Sequence, residues 1–125
     1  MQSTAPCFHE WDKVEEVPVI PGYRAKFMHS ANMTFVLWDI DAGAPLPEHA
    51  HPHEQVAHLL AGTFELVING KPNVLQAGST AVIPSNAVHS GKAITPCRIL
   101  DAFYPLREDY LKENMQKTIL QNASR

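Results

Sequence analysis

The stretch His49-Ala50-His51-Pro52-His53-Glu54-Gln55-Val56-Ala57-His58 holds four histidines, in a chain that has seven. A neutral imidazole offers a ring-nitrogen lone pair and is the commonest side-chain ligand for transition metals. Residues two apart on an extended strand project to the same face, so His49 and His51 are predicted to chelate one cation. Gln55 has the same parity and opens the next strand, and His89, just after the turn at Pro84-Ser85-Asn86, is a fourth candidate donor. Pro52 is expected to bend the chain. His53 shares the parity if the strand runs straight, and either ligates the metal or contacts substrate and ligands. His58 has the opposite parity and is expected to face away, with His9 and His29 as surface or satisfied core histidines.

A second group lies in Arg98-Ile99-Leu100-Asp101-Ala102-Phe103-Tyr104-Pro105-Leu106-Arg107. Ile99 and Phe103 are apolar and share a face with Asp101, so the carboxylate should point inward. Burying it costs on the order of several kcal/mol unless it is paired or hydrogen-bonded. One reading is a structural salt bridge to Arg107. The other sets Asp101 beside the metal as a general acid or base, with Arg107 as a bidentate clamp on a substrate carboxylate. Phe103 is then an apolar wall for a substrate ring, or plain core.

These side chains need a frame, and the punctuation of the chain predicts it. Ten prolines and six glycines fall mostly between short apolar segments. Strands are expected over 17–29, 33–41, 55–62, 63–68, 79–84 and 97–105, and Asn69-Gly70 marks a hairpin between 67–70 and 71–75 because that turn needs positive φ. Many short strands without long helical patterns between them indicate an all-β, antiparallel sandwich or barrel. Only the C-terminus differs. Residues 107–120 contain good helix formers, acids at Glu108 and Asp109 in the first turn, and Leu111, Met115 and Ile119 four apart, which predicts one helix docked by an apolar stripe on the sheet or on a second subunit.

Composition narrows the function classes. A chain of 125 residues suits a single domain, 1–125, with the barrel at about 20–106 and the helix at about 107–120. Formal charge −3 gives no basic footprint for nucleic acid, and no basic amphipathic stretch suits a membrane surface. The N-terminal residues lack the charged and apolar regions of a signal peptide. Cys7 and Cys97 have no framework spacing, so unpaired thiols and a cytoplasmic location are expected.

Two motifs carry a family resemblance. Gly43, five residues, His49-Ala50-His51, three residues, Gln55, six residues and Gly62 reproduce the spacing of the first cupin motif, where the fourth donor is usually Glu. Gly78, five residues, Pro84-Ser85-Asn86, two residues and His89 follow the second, with Asn86 replacing Gly and Ala93 standing where Asn is usual. Asn also tolerates the left-handed conformation. The sequence thus resembles the cupin superfamily, which implies a double-stranded β-helix, a jelly-roll barrel with a short C-terminal helix. Gln55 adds no negative charge, so three imidazoles and an amide favour a Lewis acid over an iron centre that must reach a higher oxidation state.

With the Asp101-to-Arg107 segment included, the chain is similar to the small single-domain pectin degradation proteins of KdgF type. That resemblance implies ketonisation and ring opening of 4,5-unsaturated monouronates released from pectin and alginate by lyases. It implies one divalent transition metal (nickel, zinc, iron, manganese or cobalt) on His49, His51, Gln55 and His89. Asp101, Phe103 and Arg107 would be the working side chains, with Arg107, Phe103 and His53 touching the sugar acid. Rival readings are an iron-dependent cupin dioxygenase and a non-catalytic metal- or sugar-binding cupin. A homodimer is expected by analogy with other small jelly rolls.

Overall fold

The computed structural model describes residues 5–123. Ten antiparallel strands form two sheets: β1 (Val17–Ile20), β2 (Tyr23–His29), β3 (Thr34–Ile40), β4 (Pro45–His49), β5 (Glu54–Ala61), β6 (Thr63–Ile68), β7 (Lys71–Gln76), β8 (Thr80–Ile83), β9 (His89–Ala93) and β10 (Cys97–Tyr104). One sheet runs β1-β2-β3-β10-β5-β8 and the other β4-β9-β6-β7. This is the jelly-roll arrangement expected from the sequence.

The strand prolines sit where a missing N–H does least harm. Pro18, Pro45, Pro47 and Pro72 all lie on β1, β4 and β7, each the outermost strand of its sheet. At the expected hairpin, Asn69 and Gly70 take φ of 50° and 79° and join β6 to β7. Period-two burial then fills the interior. Val36, Trp38 and Ile40 of β3, Ala57 and Leu59 of β5, Phe64 and Leu66 of β6, and Ile99 and Phe103 of β10 pack in one cluster. Each large side chain so buried contributes roughly 1.5–3 kcal/mol. Cys7 and Cys97 are free thiols, as expected. Among the described residues no helix is long and apolar enough to cross a membrane.

Three local expectations are corrected. The segment 17–29 is two strands, because the chain turns at Gly22 (φ 82°) and β1 folds back on β2. β4 and β9 carry no strand signal; the prolines of β4 and the Ser-Gly-Lys of β9 lack β-branched residues, and pairing creates both strands. Gly91 permits it in β9, since a Cβ there would meet the Phe64 ring at 2.5 Å. Finally, the single helix over 107–120 is replaced by 3-10 turns at Glu108–Tyr110 and Lys112–Asn114, and α1 covers Met115–Ala123. Leu111 between the turns is extended, with ψ 144°. Met115 is nonetheless buried and Ile119 packs on the core, so the stripe docks on the barrel near β1.

Candidate metal centre and acid site

His49 is the last residue of β4 and pairs across the sheet with His89, the first residue of β9. His51 lies beyond the end of β4, where the chain bends at Pro52 and His53 before entering β5. The shared aim of His49 and His51 therefore comes from a strand end and a bend, not from one straight strand. The bend is pinned by Asn86 N–H to His51 O at 2.8 Å and by the Ser85 hydroxyl to Pro52 O at 2.6 Å. Asn86 has φ 65°, the left-handed conformation expected of it.

The donor atoms of His49, His51 and His89 all lie within 4.8 Å of one another, a grouping that can hold a metal ion. Each ring is oriented by its own backbone bond. Nδ1 of His49 meets Pro47 O at 2.8 Å, Nδ1 of His51 meets His53 O at 3.0 Å, and Nδ1 of His89 meets Ala87 O at 2.9 Å. A carbonyl only accepts, so each Nδ1 carries the proton and a neutral ring presents Nε2 as a lone pair. Burial, reinforced by the Arg107 charge, lowers the His51 pKa to about 4 and keeps it neutral. Burial likewise lowers that of His89. The His89 Nε2 atom is buried without a hydrogen-bond partner among the described residues. Gln55 Oε1 stands 3.1 Å from His51 Nε2. With Nε2 unprotonated and the amide oxygen turned toward it, this spacing suits two ligands of one cation. This donor set fits a divalent transition metal.

Asp101 occupies the centre of β10, between Val36 of β3 and Ala57 of β5. It is buried and faces inward, as its neighbours predict. Trp38 Nε1 donates to Oδ2 at 2.9 Å, while Oδ1 has no hydrogen-bond partner among the described residues. Burial raises its pKa to about 6, against the lowering effects of the Gln55 amide, the Trp38 indole and the Arg107 charge. His49, His89, Gln55, Asp101, Phe103 and Tyr110 all line one cavity of about 110 Å³, whose remaining wall is mostly apolar. Phe103 stands edge-on to His51, with ring centroids 5.6 Å apart.

Arg107 does not make the salt bridge to Asp101 that one reading of the sequence gave it. Its ion pair is with Asp109, bidentate through Nε at 2.9 Å and Nη2 at 2.7 Å, and not with Asp101. Its guanidinium lies over Tyr110 at 4.1 Å and Phe103 at 4.8 Å. Burial pushes the Asp109 carboxyl up, but the Arg107 bonds and charge outweigh it and hold it below the ordinary value. His53 lies beside His51 with rings 5.7 Å apart, and its carbonyl orients that ligand. It is outside the three-histidine group. His58 points away and bonds Thr80, and His9 is exposed. Trp38, Asp109 and Tyr110 escape the reading of the sequence. The inward parity of β3 signals Trp38, whereas Asp109 and Tyr110 lie in the segment read as regular helix.

Comparison with known proteins agrees with this geometry. The model of the cupin domain matches residues 36–103. The pectin degradation protein KdgF of Dickeya dadantii (strain 3937) is 35% identical over 71 residues, 55% of this chain; the match spans 64% of that protein's length. KdgF from Halomonas sp. superposes with a TM-score of 0.82 at 28% identity, over 86% of this chain and 100% of that one. A RmlC-like cupin from Shewanella frigidimarina gives 0.81 at 27% identity, over 86% and 97%. Two sheets closing on a histidine cluster, and a domain match over more than half the chain, make this protein a member of the cupin family.

Proposed function

We propose that the protein is a cytoplasmic enzyme that ketonises and linearises 4,5-unsaturated monouronates released from pectin or alginate by polysaccharide lyases. One divalent ion would be held by His49, His51, Gln55 and His89. The observation that carries the reading is Asp101: a buried carboxyl with one oxygen, Oδ1, left without a hydrogen-bond partner among the described residues, its pKa raised to about 6, on the same cavity as His49, Gln55 and His89. A purely structural barrel has no use for such a group. The names of the Dickeya and Halomonas relatives support the substrate class.

The bound ion would supply a Lewis acid toward a sugar oxygen, and Gln55 in place of a carboxylate leaves its charge undiminished. Asp101 takes the proton of the anomeric hydroxyl as the ring C–O bond breaks, leaving an aldehyde and an enolate. It returns that proton to the alkene carbon as the enolate becomes a ketone, so the product is an isomer of the substrate. A carboxyl near its pKa can work in both directions at neutral pH. Arg107 sets positive charge opposite the sugar carboxylate, with Asp109 fixing the plane of the guanidinium. Phe103 packs on the sugar ring, and His53 borders it beside His51. A cavity of about 110 Å³ admits a monosaccharide only after modest opening and has no room for a polymer.

The test is to incubate metal-loaded protein with a freshly released unsaturated monouronate and follow the ring alkene by ultraviolet absorbance or proton NMR. Acceleration over the spontaneous reaction is expected. An unchanged rate, with metal content verified, removes the assignment. A homodimer belongs to the same proposal. The outward row of Phe35, Ala102, Val56 and Val82 across β3, β10, β5 and β8 offers its apolar face, and a monomer mass by light scattering would exclude it.

A further inference from the structure

His29 ends β2 and Thr34 begins β3, and the two are cross-strand partners at the edge of the barrel nearest the C-terminal turns. Thr34 is wholly buried. Its Oγ1 accepts the backbone N–H of Arg107 at 2.9 Å and lies 2.8 Å from His29 Nδ1. His29 Nε2 lies 3.2 Å from the carbonyl oxygen of Tyr110.

The chemistry of these groups permits one consistent direction. A carbonyl only accepts, so Nε2 must carry the hydrogen. Nδ1 of the neutral ring is then an acceptor, and the Thr34 hydroxyl must donate to it. That hydroxyl keeps a lone pair for the Arg107 amide. All three bonds are made, and residues 107 and 110 are tied to the same strand pair. Side-chain packing follows the same line: Phe27 stacks with His29 and lies 4.9 Å from the Tyr110 ring, and Tyr110 lies 4.1 Å from the Arg107 guanidinium.

We propose that His29 is a positioning residue, whose neutral ring, protonated at Nε2, latches the Arg107–Tyr110 segment to the barrel and fixes where the Arg107 guanidinium stands over the Phe103 and Tyr110 rings. Its consequence for turnover rests on the role given to Arg107 above. The latch itself does not. His29 lines no part of the cavity and acts only through Thr34 and Tyr110.

The contrast that tests it is His29→Leu against His29→Gln. Leucine keeps bulk but removes both bonds, whereas the glutamine amide again presents one acceptor and one donor on a plane. With the unsaturated uronate, His29→Leu should raise KM roughly tenfold and leave kcat within about twofold, and His29→Gln should recover most of the loss. Backbone amide exchange at Arg107 should quicken about tenfold in the leucine variant while strands β5 and β10 stay protected. Equal exchange at Arg107 in the leucine variant and the unaltered protein would overturn the proposal, as would loosening spread evenly over the barrel. Nitrogen-15 NMR of the unaltered protein gives a check that needs no variant to fold: a His29 ring protonated at Nδ1 also overturns it. A protein inert toward uronates would remove the substrate, but the exchange and tautomer results would still decide the latch.

Discussion

Asp101 carries the conflict between stability and chemistry in a single side chain. Its pKa rises from 3.8 to about 6 on folding, chiefly through burial. In that interval the native state binds more protons than the unfolded chain, so stability falls as pH rises from about 4 through about 6. That rise in pKa corresponds to about 3 kcal/mol. Asparagine keeps an acceptor for Trp38 without the charge. We expect Asp101→Asn, in chelator-treated protein, to melt above the unaltered protein at pH 7.5, with the difference vanishing near pH 4. Turnover of the uronate should drop by about 100-fold or more. Thermal melts across pH and a single rate assay read both, and a variant that is less stable at pH 7.5 would contradict the burial argument. The inward aim of Asp101 is legible because Ile99 and Phe103 flank it at period two. Its partner is not, since Trp38 is 63 residues away and meets it only through the β3–β10 register.

At the scale of elements, the jelly roll depends on corners where the chain leaves one sheet for the other. Gly62 is such a corner, between β5 of the six-stranded sheet and β6 of the four-stranded one. It has φ 92°, and a Cβ there would run into the Pro96 carbonyl oxygen and approach Cys97 Sγ to 2.9 Å. Backbone strain and collision act together, so Gly62→Ala should lose about 2–4 kcal/mol. Denaturant unfolding measures this directly, and a midpoint equal to that of the unaltered protein would show that the corner relaxes. Gly62 is visible in the sequence as the last residue of the first spaced motif. Strands rich in Val, Ile, Leu and Phe are equally visible, because burial on one face writes alternation into them. β4 and β9 are invisible for the opposite reason: they exist through pairing, and they bear His49 and His89. The C-terminal segment misleads by its composition. Its helix formers are real, but Arg107 pairs with Asp109, Tyr110 packs at the cavity, and Thr118 Oγ1 donates to Asp109 O at 2.6 Å, which holds 107–110 out of a regular helix.

For the whole molecule, the same buried imidazoles that make a ligand cradle set the pH limits of the metal-free fold. Burial lowers the pKa of His51 to about 4, and those of His29, His53 and His89 in the same direction. These rings take up protons more readily when unfolded, so stability contributed by their neutral state is present above about pH 6.5 and is lost as pH falls toward 4. A metal on Nε2 binds only the folded cradle and adds about 2.7 kcal/mol at a free concentration 100 times its dissociation constant. In a domain of this size that raises the midpoint by roughly 10 °C. Protons compete for the same lone pairs, so the rise should be full at pH 7.5 and shrink as pH falls toward 4. Chelator-treated protein titrated with zinc or nickel, and melted at several pH values, measures both effects. His89→Ala removes one donor without touching Asp101 and should abolish most of the metal-dependent rise. A rise that survives in that variant would place the ion elsewhere, and the acid would then have no metal partner in its cavity.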